Sequence, residues 1–389
     1  MSSLLLKPCR EYSSFKFDSA NRDMGYEHAD KIAESMDNLY MLDLYPIVTN
    51  SERVIDDGQH RFYGAKEMKI PFYFISGDDI SIEDVANANR NTKPYTIKDA
   101  LHVYSAVGIE PYVYLRDYLG ERAGSQNKIG WMRSLLEGSG SASAFIDGFY
   151  SIRRPEYAGV VESRVNDFAA LPRKEWVWSS AYRDALANLT LNPLYDHKRM
   201  MDRLSRVSSR LVPCGTVAEA MGILDNIYNY NLDKKNIVQL RMLGPNGLVN
   251  RYDKDFAPIE RTQPPPQRSV AHDKIVEVHK ADCLDGFIVH PSARPVENAH
   301  LKAMIESMRQ KSLLKYYPII VDRDYVVYDG QRRLLAAREL GLPVHYIMAS
   351  NISMLMVAQA GSRSKGWAYA DYLKHFCVMN KEPYLYLAD

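Results

Sequence analysis

Cysteine is scarce: the four in 389 residues, Cys9, Cys214, Cys283 and Cys377, lie far apart and form no Cys-x-x-Cys pair. That argues against a zinc site or a disulfide framework and fits a reducing compartment. Net charge is also lacking. Lys and Arg total 49 and Asp and Glu 48, leaving +1, so any basic surface is local. Long apolar runs are missing as well. Leu4 to Leu6 is soon interrupted by Arg10 and Glu11, which excludes a signal-peptide core, and no later stretch is long enough to span a bilayer. These absences predict a soluble cytoplasmic protein with no membrane partner. What is present, 46% hydrophobic and 25% charged residues, is the composition of a globular chain with room for two or three domains.

The decisive feature is an internal repeat. Asp57-Gly58-Gln59-His60-Arg61 matches Asp329-Gly330-Gln331-Arg332-Arg333 at an offset of 329 − 57 = 272. Without a gap, the same offset pairs Arg22 with Arg294, His28 with His300, and Glu34-Ser35-Met36 with Glu306-Ser307-Met308. It also pairs Tyr45-Pro46-Ile47 with Tyr317-Pro318-Ile319, Pro71 with Pro343, Asp99 with Asp371, and Glu110-Pro111-Tyr112 with Glu382-Pro383-Tyr384. Chance does not hold one register so long; the segment is duplicated.

Each copy reads as α/β (or α+β). Ile32, Met36 and Leu39 share a helical face, as do Leu301, Met304, Ile305 and Met308. Strands are predicted over Leu44 to Val48 and Arg53 to Ile55, and over Tyr317 to Val321 and Tyr325 to Val327. The Asp-Gly turn then opens a helix ending near Met68 or Leu340, followed by a strand at Phe72 to Ile75 or Val344 to Ile347. Two more helical stretches close each unit. Between the copies the chain is mainly helical. Thr216 and Glu219 form a capping-box pattern ahead of an apolar-periodic helix, Glu137 to Ser143 reads as a hinge, and the Pro-rich run 262–268 reads as a semi-rigid linker. The expected domains are a first copy (1–120), a helical middle (121–261), the linker (262–268) and a second copy (269–389).

Cations in the first turn of a helix oppose its dipole, yet His60-Arg61 and Arg332-Arg333 both lie there. A bound anion removes the conflict: main-chain N–H groups point at it, arginine adds charge-assisted hydrogen bonds, and glycine lets the backbone approach. The plainer alternative makes Asp57 and Asp329 simple N-caps and the arginines surface residues. Recurrence of the turn in matched contexts favours phosphate.

The order helix, Pro-Ile strand, Asp-Gly-Gln-His-Arg helix resembles the ParB/sulfiredoxin superfamily, especially the phage- and plasmid-encoded "DGQHR" ParB-like proteins. His290-Pro291-Ser292-Ala293-Arg294-Pro295 is similar to the Asn-Pro-x-x-x-Arg motif of ParB, and Asn87-Ala88-Asn89-Arg90 with Pro94 and Asp99-Ala100 to its Glu-Asn-x-x-Arg box. The resemblance implies two ParB/sulfiredoxin-like domains flanking the helical middle. It also implies a bound nucleoside triphosphate, CTP or ATP, with Mg2+. Gly58, Gln59, His60 and Arg61 would hold phosphates, with Gly330, Gln331, Arg332 and Arg333 as their second-copy counterparts. Asn87 would order the metal and Arg90 would reach the phosphates. Two departures matter. Gln59 and Gln331 replace the cysteine that sulfiredoxin chemistry requires, and Ala86 and Ala358 replace the glutamate that ParB proteins use in hydrolysis. The second copy also has Gln359 and Ser362 at the Asn87 and Arg90 positions, with Arg363 one place later. The first copy is therefore expected to be the competent site, with slow or absent hydrolysis.

Free-serine kinases of the same superfamily suggest a rival set, with Glu34 as general base beside Asp57 and His60; the plainer reading of Glu34 is a solvated helix glutamate. His28 and His300 read as structural, and Tyr112, Tyr114, Tyr384 and Tyr386 as packing. From 151 to 210 the middle region holds 11 Lys/Arg against 7 Asp/Glu, a net of +4, interleaved with Trp176 and Trp178. Arg203, Arg206 and Arg210 are the candidate DNA contacts, although no helix-turn-helix is evident. The leading expectation is a nucleotide-binding ParB-like protein of phage or mobile-element type acting on or with DNA. A small-molecule or modified-nucleoside kinase and a non-catalytic scaffold are the rivals. The repeats are further expected to pair, within the chain or across a homodimer, with their turns facing a shared groove; two independent beads are the alternative.

Overall fold

The computed structural model describes residues 3–17, 21, 24–36, 39–81, 84–85, 95–120, 126–138, 142–172, 174–238, 240, 268 and 273–362. The chain is a mixed α/β protein with open sheets. In order, the first part runs β1 (Leu4–Leu6), β2 (Lys16–Phe17), α1 (Tyr26–Met36), β3 (Ile47–Thr49), β4 (Val54–Asp57), α2 (Gln59–Glu67), β5 (Phe74–Ser76), α3 (Ile97–Ala106) and α4 (Glu110–Leu119). The middle is helical: α5 (Gln126–Glu137), α6 (Ala142–Ile146), α7 (Pro155–Ala169), α8 (Ser180–Thr190), α9 (His197–Val207) and α10 (Val217–Tyr228). Then come β6 (Val276–Ala281), β7 (Ile288–Val289), α11 (Asn298–Gln310), β8 (Ile319–Val321), β9 (Val326–Asp329), α12 (Gln331–Leu340), β10 (Val344–Met348) and α13 (Met354–Ser362).

Two compact units result. One holds 1–116, 143–149 and 263–389, the other 117–142 and 150–262. Both repeats therefore share one compact unit. Residue 268 belongs to that body too. Instead of ending a free linker, Arg268 bridges to Leu39 and is 2% exposed.

Inside the first unit the offset of 272 holds element by element. Adding 272 to β3 (47–49) gives β8 (319–321), and adding it to β4 (54–57) gives β9 (326–329). Each sheet repeats the order β2-β4-β3-β5 as β7-β9-β8-β10. The β3–β4 and β8–β9 pairs carry the same register irregularity, at Val48/Thr49 and Ile320/Val321. Their turns match atom for atom. Asn50 Oδ1 accepts from the N–H groups of Glu52 and Val54, and Asp322 Oδ1 from those of Asp324 and Val326. An Asx side chain supplies a turn's missing acceptor in this way.

The strands before β3 and β8 are shorter than the apolar run suggests. The N–H groups of Leu44 and Tyr45 both donate to Met41 O, a helical turn, and Pro46 offers no N–H to a neighbouring strand. Pairing therefore starts at Ile47, and correspondingly at Ile319.

The copies join through β1 and β6, whose antiparallel pairing sets Leu4 opposite Val278, Leu5 opposite Glu277 and Leu6 opposite Val276. Since 5 + 272 = 277, Leu5 faces its own repeat equivalent, so the pairing is pseudo-twofold. The Cys9–Phe72 bridge corresponds, after adding 272, to the Ala281–Val344 pair between β6 and β10. The core is shared accordingly: Ile47, Phe62 and Phe72 pack in one cluster with Val276, Ile320 and Ile347. Lys311 and Lys315 of the second copy add ion pairs to Asp84 and Asp79 of the first, each at 2.6 Å.

In the second unit α8 packs on α7 and α10, burying Val165, Phe168, Leu186 and Leu224 completely. Thr216 and Glu219 form the capping box of α10. No helix among the described residues is long and apolar enough to cross a membrane.

Candidate phosphate-binding pocket

Each Asp-Gly-Gln turn is built by a strand that stops at aspartate and a helix that starts two residues later. Gly58 and Gly330 make the corner with φ of 92° and 94°, the left-handed region that glycine enters without a Cβ penalty. They are the N-caps of α2 and α12 and, having no side chain, supply neither helix with a side-chain cap. Asp57 and Asp329 are thus the last residues of β4 and β9, not N-caps. Gln59, His60 and Gln331 are buried.

The arginine four residues after each aspartate folds back over the glycine. A Cβ on Gly58 would lie 2.8 Å from Arg61 Nη2, and one on Gly330 would lie 2.9 Å from Arg333 Nη2. Arg333 Nη2 donates to Asp329 Oδ2 at 3.2 Å, whereas Arg61 Nη2 stands 3.7 Å from Asp57 Oδ2. Arg61 Nε is buried with no hydrogen-bond partner among the described residues. Beside the second turn, Arg294 lies over the Tyr95 ring at 5.3 Å. Burial lowers the Arg332 guanidinium pKa, and the neighbouring cations Arg294 and Arg333 lower it further; Asp329 and Asp99 oppose the shift.

Both turns line one cavity of about 420 Å3. Its cations are Arg61, Arg294, Arg332 and Arg333, and its turn carboxylates are Asp57 and Asp329. Met36, Leu39, Met41 and Leu42 of the first copy form one apolar wall, with Met304, Met354 and Val357 of the second opposite in sequence origin. Ala358 also lines it. A few charged groups set in an apolar concavity of this size are the usual make-up of a small-molecule site.

The cavity brings together residues 57–61 and 329–333. It does not include Glu34, which is exposed. The pocket-facing residues of this segment, Ile32, Ser35, Met36 and Leu39, follow a three-four helical spacing, and Glu34 is turned off that face by about 100° per residue. Glu34 is therefore badly placed as a base for Asp57 and His60. Asn87, Arg90 and Ala86 lie outside the described residues. Arg203, Arg206 and Arg210 belong to the helical unit, on α9 and the short turn after it; Arg203 is partly buried and the other two are exposed. His300 stands 3.6 Å from Glu297. Tyr112 is buried and donates to Phe145 O, but Tyr114 is 41% exposed, so packing accounts for only one of that pair.

Arg294, the arginine of the Asn-Pro-x-x-x-Arg-like motif, lines the pocket, whereas sequence reasoning missed Tyr95 and the methionine wall as parts of it. Tyr95 and the methionines become visible only when the copies pair. Among the described residues no cluster of three His, Cys, Asp or Glu side chains could hold a metal. Mg2+ needs none, because it is commonly held by one or two carboxylates together with substrate phosphates. Asp57 and Asp329 are suitable oxygens. No family model, curated protein or solved structure matches this chain.

Proposed function

We propose that the pocket shared by the two repeats binds a nucleoside triphosphate, ATP or CTP, with its phosphates against the Gly-Gln-x-Arg turns and Mg2+ held between phosphate and Asp57 or Asp329. The observation that carries this reading is the convergence of two glycine-capped helix N-termini and four arginines on one cavity. Such N-termini favour anions, and a nucleotide offers both the charge for the arginines and a flat apolar face for the Met-Leu wall. The resemblance to ParB-like proteins points the same way. Ala358 at the cavity wall supports slow hydrolysis, because it carries no group to activate water. The kinase reading loses its base with Glu34 exposed.

A titration of the full chain with ATP and with CTP, each with Mg2+, tests the proposal. Binding should raise the melting temperature, by an increment equivalent to about 2.7 kcal/mol at a hundredfold excess over Kd. Arg61→Ala should weaken binding at least about tenfold, roughly 1.4 kcal/mol. No stabilisation by either nucleotide at millimolar concentration refutes it. Turnover near or above about one per second would refute the hydrolysis part alone.

DNA is the proposed macromolecular partner, favoured by Arg199, Arg203, Arg206 and Arg210 recurring at spacings of four, three and four along one stretch of the helical unit. Binding through phosphates releases counterions, so affinity should fall steeply with salt. Charge reversal at Arg203, Arg206 and Arg210 that leaves DNA binding intact would exclude this surface.

A further inference from the structure

In the helical unit, the start of α9 is tied to α7 and α10 by a chain of side chains. His197, the first residue of α9, stands between two partners: Nε2 lies 2.9 Å from Asp167 Oδ2 on α7, and Nδ1 lies 2.8 Å from the Tyr195 hydroxyl. The Asp196 N–H donates to the Tyr228 hydroxyl on α10. An ionised Asp167 has no proton to give, so the imidazole donates from Nε2 and keeps the Nδ1 lone pair for the Tyr195 O–H. Only the neutral ring satisfies both contacts in this way. A proton on Nδ1 would reverse that hydrogen bond and take from Tyr195, itself 8% exposed, the acceptor of its hydroxyl.

The surroundings disfavour that proton. Phe168 stacks on the imidazole at 6.1 Å, Arg164 of α7 lies over the Tyr195 ring at 5.0 Å, and the amino end of α9 opposes a cation. Two carboxylates act the other way. Asp167 is half exposed and so screened by water, and Asp196 is engaged in capping α9 through the Arg199 N–H. Burial prevails, with Arg164 adding to it, and lowers the His197 pKa against Asp167 and Asp196. The imidazole is still 19% exposed, so protons reach it without unfolding.

We infer that His197 is a proton-operated latch: neutral, it ties the first turn of α9 to Asp167 of α7 and to Tyr195; protonated, its hold on that turn weakens. An unfolded histidine titrates near about 6.5, and the folded one lower. The contribution to stability is therefore present above about pH 6.5 and is lost as pH falls through the folded midpoint. Because α9 also carries Arg199, Arg203 and Arg206, the latch steadies the basic stretch whether or not DNA is its partner.

NMR titration of the full chain labelled in histidine tests the inference, with the His197 signal identified by its loss in His197→Gln or by its contact with Phe168. Wild type should show the Nε2–H tautomer at about pH 8 and a midpoint below about 6.5. Tyr195→Phe removes a hydrogen bond that only the neutral ring accepts and should raise the midpoint. Asp167→Asn removes a charge that favours the cation and should lower it. Each change should be roughly half a pH unit or more, about threefold in proton affinity; burial alone gives no such opposition of sign. Hydrogen exchange in the first turn of α9, corrected for its intrinsic pH dependence, should show roughly threefold less protection at about pH 5.5 than at about pH 7.5. His197→Gln, which cannot take the charge, should show no such loss. The Nδ1–H tautomer, a midpoint at or above about 6.5, shifts of one sign in both variants, or equal loss of protection with and without His197 overturns the latch.

Discussion

Tyr317 of the second copy lies in the field of Asp57, the last strand residue before the first copy's turn. Its equivalent Tyr45 (45 + 272 = 317) lies in the field of Asp329, the equivalent of Asp57. Each copy thus sets a tyrosine against the other's turn, the reciprocity of an isologous interface and of the Leu5–Glu277 strand pairing. Burial raises both phenols well above their ordinary range, with the facing carboxylate adding to the shift and Arg61 and Arg333 opposing it.

If this contact joins the copies, Tyr317→Phe and Asp57→Asn are not independent. Each should destabilise the repeat unit by roughly 1–2 kcal/mol. The double variant should fall short of the sum by about 0.5 kcal/mol or more, measured in urea by tyrosine fluorescence. Strict additivity would remove the cross-copy coupling.

The glycines separate backbone strain from side-chain clash. Gly58→Ala forces an L residue to φ near 92°, but the nearest obstruction is the movable tip of Arg61. Gly330→Ala meets Ile319 Cγ2 at 2.5 Å, on a strand residue that is fully buried. Left-handed strain alone should cost Gly58→Ala about 1–2 kcal/mol. Overpacking should add roughly 1–3 kcal/mol at Gly330. Equal melting temperatures for the two variants would contradict this geometry.

The duplicated core was legible because its markers are chemically specific: Asp-Gly corners, Pro-Ile strand starts and the arginine four residues beyond the aspartate. The join between copies was not. Leu4-Leu5-Leu6 and Val276-Glu277-Val278 share no residue, and the pairing of Leu5 with Glu277 reveals their equivalence. Pairing across a twofold demands backbone complementarity and one apolar face, which many sequences satisfy. Glu34 lies off the cavity for a simpler reason. Recurrence in both copies marks a shared position, and a solvated helix face recurs as faithfully as a pocket.

Arg268 shows the same limit in charge. It follows a Pro-rich run that reads as linker, yet its guanidinium forms a bidentate pair with Asp43, at 2.5 and 2.9 Å, 225 residues earlier, and also donates to Tyr40 O. Both side chains are essentially inaccessible. Removing Arg268 leaves the buried Asp43 carboxylate with Lys274 Nζ, 3.7 Å away and itself partly exposed. Arg268→Ala should therefore cost about 3–5 kcal/mol, while Arg268→Met with Asp43→Leu should recover much of it. Thermal melts of the two variants decide; a double variant no more stable than the single one would argue against an uncompensated carboxylate.

The helical unit contains a titration that can be isolated. Glu137 closes α5 with its side chain fully enclosed, 3.1 Å from Arg133. Burial pushes its carboxyl up to about 7, against the pull of Arg133, the Ser151 N–H and Arg153. In the unfolded chain a glutamate titrates near 4.3. Between these values the folded state holds more protons than the unfolded one, so this group's contribution to stability falls as pH rises. It is fully present below about pH 4 and is lost as pH passes through about 7. The difference between pH 5 and pH 8 should be on the order of 2 kcal/mol, reduced by the Arg133 pairing. Other groups titrate over the same range, so the informative quantity is wild type minus Glu137→Gln, which stays neutral. The glutamine variant should gain on wild type as pH rises, in chemical denaturation followed by Trp131 and Trp178 fluorescence. Parallel pH profiles would show that Glu137 stays ionised throughout, held by Arg133 as an ordinary buried ion pair.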